Sequence, residues 1–242
     1  MLKRNIITLP VFALCLLLVQ CTSITLVQDK TPSEEKVQPI RIIKGPYLQN
    51  VQRTAITIMW ETDLESTSQI DYGNEIAYSE KVVCEKLKKI HEITISRLEE
   101  ETIYHYQVSS RIPDEKEEKM EPVITSKDSI FKTAVREDSP FTFAVYGDNR
   151  TYPEVHEKIA KGIAEKKPDI VLNTGDVVEF GLFYEGWGRE FFEPAQELFR
   201  NTPFYIAIGN HEQDAPWYYD FVSFPEPENY YSFDYGNAHF TI

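Results

Sequence analysis

From residue 40 to about 135 the chain alternates between apolar and polar positions. In "TAITIMWET", Ile56, Ile58 and Trp60 interleave with Thr57, Met59 and Glu61, the period of two that marks a half-buried strand. "HEITISRLEEETIYHYQVSS" repeats the pattern with Ile93 and Ile95, then Tyr104, Tyr106 and Val108. "IPDEKEEKMEP" is a charged excursion that reads as a solvated hairpin tip, and "SIFKTAV" closes the series. Several short strands with a buried Trp predict an immunoglobulin-like β-sandwich. After "REDSP" (136–140) the period changes. "FTFAVYGD", "DIVLNTGD" and "PFYIAIGN" are apolar runs, separated by two helical segments. The first helix opens at Pro153 with Val155, Ile159 and Ile163 four apart. The second, "WGREFFEPAQELFR", carries Phe191, Ala195 and Leu198 on one side. Strand and helix alternating in this way predict a buried parallel sheet in an α/β domain.

The start of the chain has another character. "MLKR" is basic, "NIITLPVFALCLLLVQ" is apolar but contains Pro10, and Cys21 follows. The run is shorter than the ~20 residues that a spanning helix needs, so residues 1–21 read as an export signal. "LVQC" resembles a lipobox, in which Cys21 becomes the lipid-modified N-terminus; Gln20 departs from the Gly, Ala or Ser usual there. Residues 22–39 are polar and aperiodic and read as a tether. The chain is thus expected at the cell envelope, exported and attached to a membrane by lipid. With Cys15 in the signal and Cys21 lipidated, Cys84 is left single and reads as a buried apolar residue.

Charge narrows the partners. The formal net charge is −14, and −16 without residues 1–20, which carry Lys3 and Arg4 and no acid. No nucleic-acid partner is expected of so acidic a chain, because phosphate backbones are held by clustered Lys and Arg. An anion could still bind where a metal supplies local positive charge.

The three apolar runs end in "YGDNR", "NTGD" and "IGNHE". In an open parallel sheet, ligands bind at the carboxyl ends of the strands, where Asp148, Asp176 and Asn210 would converge. Gly, Asp and Asn are also ordinary turn and cap residues. Three such ends in succession, with His211 beside the last, point to a metal site, since converging oxygen donors need a cation between them.

These residues also carry a resemblance. "GD", "GD" and "GNHE" after successive strands resemble the first three motifs of the calcineurin-like metallophosphoesterases. "GPYLQN" ahead of "TAITIMWET", with "HEITISRLEEETIYHYQV", resembles the fibronectin type III-like N-terminal domain of purple acid phosphatases. The resemblance implies a fibronectin type III-like domain over 40–135 and part of a phosphoesterase domain over 141–242. It implies two metal ions (Fe, Zn or Mn), with Asp148 on the first, Asp176 bridging and Asn210 on the second. It makes His211 the residue that contacts the phosphate and protonates the leaving oxygen, oriented by a carboxylate such as Glu212. The implied activity is hydrolysis of a small phosphate ester, monoester or diester.

The departures from the family pattern are informative. Glu179 stands where purple acid phosphatases have a Tyr ligand, so no charge-transfer colour is expected. Arg150 stands two residues after Asp148, where many relatives have a His ligand; it stays protonated and cannot ligate. It could clamp a phosphate oxygen or pair with Asp148 or Asp176. The family's three further His ligands, in two later motifs, do not occur before Ile242, and His239 and His156 read as structural, His156 on a solvated helix face. A C-terminally truncated domain is therefore expected, with little activity and a tendency to associate from residues 22–242 alone. The alternatives are a surface-binding module with an incomplete phosphoesterase half, or a nuclease or nucleotidase on the same scaffold.

Overall fold

The computed structural model describes residues 39–113 and 123–242. The expected export signal with Cys21, nearly all of the expected tether and residues 114–122 of the charged excursion lie outside the described residues. From Gln38 onward the chain forms one compact unit. No helix of the described residues is long and apolar enough to cross a membrane.

Strands β1 (Ile42–Gln49), β2 (Ala55–Gly73), β3 (Glu80–Ser96), β4 (Ile103–Arg111), β5 (Val123–Thr125) and β6 (Ser129–Lys132) are antiparallel and form a β-sandwich. Its layers share the two longest strands. β2 pairs with β1 through Thr57–Thr62 and with β4 through Gln69–Gly73, while β3 follows it throughout. Register shifts between Glu61 and Ser68 break the β2–β3 ladder between these two halves, and breaks of this kind bend a strand. Trp60 lies fully buried, its indole donating to Ser110 Oγ at 2.9 Å. Cys84 is only half-buried, at the margin of this core, rather than enclosed as the sequence suggested.

His91 stacks on Trp60 at 4.7 Å and reaches Thr62, Ser66 and Ser68 hydroxyls at 2.9, 3.3 and 2.7 Å. Burial, with a smaller contribution from Lys88, pushes its pKa down to about 4. An unfolded His, near 6.5, takes up a proton that the native ring refuses. Stability from this residue is therefore complete above about pH 6.5 and is lost as pH falls toward 4, by on the order of 2 kcal/mol. Urea denaturation at about pH 7.5 and about pH 4.5 should show that loss, and His91→Gln should show less of it.

The α/β part comprises β7 (Phe143–Tyr146), α1 (Pro153–Glu165), β8 (Ile170–Asn173), α2 (Tyr184–Gly186), α3 (Gln196–Asn201), β9 (Phe204–Ile206), α4 (Pro216–Phe221) and a β10 (Ser232–Tyr235)–β11 (Ala238–Thr241) hairpin. β7, β8 and β9 are parallel, in that order. β8 and β9 are wholly buried. β7 is not: at the edge of the sheet it leaves Phe143 and Val145 exposed, contrary to the expected fully buried sheet.

The helices correct the sequence reading twice. In α1 the buried face carries His156 and Ala160, whereas Val155 and Ile159 are exposed. His156 is not solvated; its Nδ1 donates to the Glu190 carbonyl at 2.8 Å and its Nε2 accepts from Tyr146 Oη at 3.0 Å. Partnered polar atoms and a small Ala let α1 sit closely on the elements beneath it. The second helix is interrupted. Trp187–Phe192 winds as a π-turn, closed by Glu193 N–H donating to the Gly188 carbonyl at 2.9 Å, and α3 starts only beyond Pro194. Proline has no N–H to continue the ladder. Phe191, Ala195 and Leu198 are nonetheless all buried.

Tyrosine hydroxyls join the sandwich to the α/β part. Tyr47 donates to the Phe221 carbonyl at 3.0 Å and Tyr106 to the Arg200 carbonyl at 2.7 Å. Beside them the buried Lys44 ammonium reaches Glu61 at 2.5 Å, Tyr184 donates to the same carboxylate at 2.6 Å, and Lys44 lies 3.8 Å from the centre of the Tyr184 ring.

Candidate active site

The loops after β7, β8 and β9 are tied to one another by their backbones. Asp148 N–H donates to the Gly175 carbonyl at 2.9 Å, Arg150 N–H to the Asp176 carbonyl at 3.3 Å, and Ala207 N–H to the Asn173 carbonyl at 2.9 Å. Asp148 and Asp176 both take positive φ, +52° and +55°, so each strand turns sharply at its carboxylate. Gly175, at φ +92°, and Gly209 leave no room for a side chain. A Cβ on Gly209 would lie 2.2 Å from Asp176 Oδ1 and 2.6 Å from Asp176 N. Glycine is required where two loops approach this closely.

Asp148 and Asp176 converge on a single cationic atom. Arg150 Nη1 contacts Asp148 Oδ1 and lies 3.2 Å from Asp176 Oδ2, while its Nε lies 3.5 Å from Glu179 Oε2. Of the two roles the sequence left open for Arg150, the geometry displays the pairing. Three carboxylates surround one guanidinium, so the cluster carries a net negative charge. Glu179 also accepts from Thr151 Oγ1 at 2.6 Å. Asn210 is exposed, following Gly209 in the third loop.

His211 is held at both ends. Its N–H donates to Asp176 Oδ1 at 3.1 Å and its Nδ1 to the Glu179 carbonyl at 2.7 Å, which leaves Nε2 as the free ring nitrogen. Glu212 does not orient this ring, contrary to expectation. Its fully buried carboxylate accepts three backbone N–H bonds, from Val177 at 2.7 Å, Asp176 at 2.9 Å and Gly209 at 2.6 Å. It is a clamp on the loops after β8 and β9.

Several contributors were missed by sequence reasoning. Asn149 and Asn173, both buried, bond to each other at 2.8 Å, and Asn173 Oδ1 accepts from Gly175 N–H at 2.9 Å. Glu190, also buried, accepts from Glu179 N–H at 2.7 Å. A polar residue closing an apolar run, as in "VLNTGD", was the available signal for Asn173.

The residues fit a cation. Two carboxylate oxygens from adjacent strands already meet on one positively charged atom, which stands in for an ion. Among the described residues, no three His, Cys, Asp or Glu side chains are grouped so as to hold a metal by themselves.

Residues 141–241 match the family model described as calcineurin-like phosphoesterase. This part of the chain is similar to a calcineurin-like phosphoesterase domain. A purple acid phosphatase, PPD1, from yellow lupin (Lupinus luteus) seeds is similar in structure, with a TM-score of 0.65 and 16% identity over 81% of this chain and 43% of that one. PhoD is similar with a TM-score of 0.58 and 12% identity, over 81% of this chain and 50% of that one. At these identities the likeness shows the fold. The chain spans half the length of these proteins or less. A search of curated proteins finds no match. The part that matches the phosphoesterase family is preceded by the antiparallel β-sandwich.

Proposed function

We propose that this chain hydrolyses a small phosphate ester by a metal-dependent route, at a centre of two ions (Fe, Zn or Mn), in an exported protein held to a membrane through lipid on Cys21. The observation that carries the chemistry is the meeting of Asp148 and Asp176 on one cation beside the anchored ring of His211. The anchor rests on "MLKR", the apolar run and "LVQC". Asp148, Asp176 and Asn210 would hold the ions, with Asp176 shared between them. Bound divalent ions supply the charge that polarises a phosphoryl group and lowers the pKa of the attacking water.

The chain's own residues do the rest. Because Nδ1–H is committed to the Glu179 carbonyl, a proton for the leaving oxygen comes from Nε2 of the imidazolium form of His211, which is left as the neutral Nδ1–H ring. Arg150 is one guanidinium among three carboxylates, and phosphate oxygens suit its fork once a metal engages the carboxylates. Glu212 holds the Asp176 and Gly209 amides, keeping the donors in place.

His211→Ala should reduce hydrolysis of an alkyl phosphate far more than that of an activated aryl phosphate, whose leaving oxygen needs little protonation. The comparison is a ratio and can be read at low turnover. Equal losses on both esters would mean that His211 only positions the phosphate.

A further inference from the structure

Beside Glu179, at the edge of the Arg150 cluster, lies a cleft of about 400 Å³ that the proposed chemistry does not use. Its walls include Glu179, Phe180, Phe183 and Glu185. Phe180 and Phe183 meet edge to face with centroids 5.6 Å apart, yet are 48% and 63% exposed. Two large rings paired and open to solvent next to a polar site form an apolar seat that a ligand can fill.

Their loop is fixed to the candidate proton donor. Phe180 sits between Glu179, whose carbonyl accepts from His211 Nδ1 at 2.7 Å, and Gly181, whose N–H donates to the His211 carbonyl at 2.8 Å. Glu179 and Thr151 line the cleft and also belong to the Arg150 cluster, Glu179 Oε2 lying 3.5 Å from Arg150 Nε and 2.6 Å from Thr151 Oγ1, so a group leaving a phosphate held at that cluster has the cleft next to it. The same walls carry three carboxylates, Glu179, Glu185 and Glu190, against one guanidinium, Arg189, which is paired with Glu190, so they remain net negative and unfavourable to a leaving group with its own negative charge.

We propose that this cleft seats the leaving group and selects phosphate esters whose leaving group carries a neutral aromatic ring, stacked on Phe180 and Phe183. The inference rests on the phosphoesterase reading of the adjacent carboxylates and His211. Ring-on-ring contact of this kind corresponds to about tenfold in affinity.

The test is calorimetric titration of the metal-loaded protein with benzylphosphonate and ethylphosphonate, with orthophosphate as reference. Benzylphosphonate should bind about tenfold more tightly than ethylphosphonate. Phe183→Ala should bring the two to parity with orthophosphate binding unchanged. Gly186→Leu should do the same by filling the cleft: Gly186 has helical backbone angles, and nothing lies nearer than 4.0 Å to a Cβ built on it. Parity in the unaltered protein, or a preference that survives both substitutions, would overturn the proposal. Failure of all three anions to bind would instead overturn the phosphoesterase reading on which it rests.

Discussion

Glu212→Gln is expected to unfold the protein at a temperature on the order of 10 °C lower and to weaken metal binding tenfold or more, although Glu212 touches neither ring nor ion. Oε1 serves Val177 N–H, and Oε2 serves both Asp176 and Gly209 N–H. An amide can present oxygen to only one of these sides, and its NH₂ must then face a backbone donor. The loss combines charge-assisted bonds with an N–H left unpaired in a fully buried place, about 3 kcal/mol together. The loops carrying Asp176 and Asn210 would lose their common anchor, which is why binding should suffer as well. Thermal denaturation and a metal titration check the two effects, and an unchanged Tm would show that the clamp is unimportant.

Asp176→Asn should separate the same two readouts. Asp176 shares with Asp148 and Glu179 the one guanidinium of Arg150, so removing its charge relieves repulsion in the metal-free protein. Asn can still accept from His211 N–H through its oxygen, the bond that Asp176 Oδ1 makes at 3.1 Å. Tm of the metal-free variant should therefore stay level or rise. Metal affinity should fall by more than about 100-fold, because a ligand is lost and an amide is a poor bridge between two cations. Elemental analysis after equilibration decides it; full metal content in the variant would remove Asp176 from the ligand set.

The parts of this site that were legible in the sequence are those set by a strand's own end. Apolar runs closing on "GD", "GD" and "GNHE" were expected to bring Asp148, Asp176 and Asn210 together, because chain direction in a parallel sheet gathers such ends; Asp148 and Asp176 do meet on Arg150, with His211 N–H on Asp176, while Asn210 is exposed. Glu212 was seen, but its role was misjudged. Its partners are backbone N–H groups, two of them 35 and 36 residues away, and such groups leave no mark on residue identity. His156 was assigned to solvent because an imidazole on a helix counts as polar. Its buried partners, a carbonyl beyond α2 and a strand hydroxyl, are tertiary facts. The same bias turned α1 the wrong way, since Val155 and Ile159 outweighed Ala160 in apolarity while the packed face needed small size. Pro194 was visible and should have divided the second helix at once.

The central claim is that three carboxylates and one guanidinium become an anion site only when metal ions join them. Without metal the cluster is net negative and should repel a phosphate dianion. The direct measurement is orthophosphate binding by calorimetry, with the protein first stripped by chelator and then reloaded with Mn²⁺ or Zn²⁺. The account predicts no binding to the stripped protein, binding to the reloaded one, and none to reloaded Asp176→Asn. Orthophosphate binding of equal strength with and without metal would contradict it.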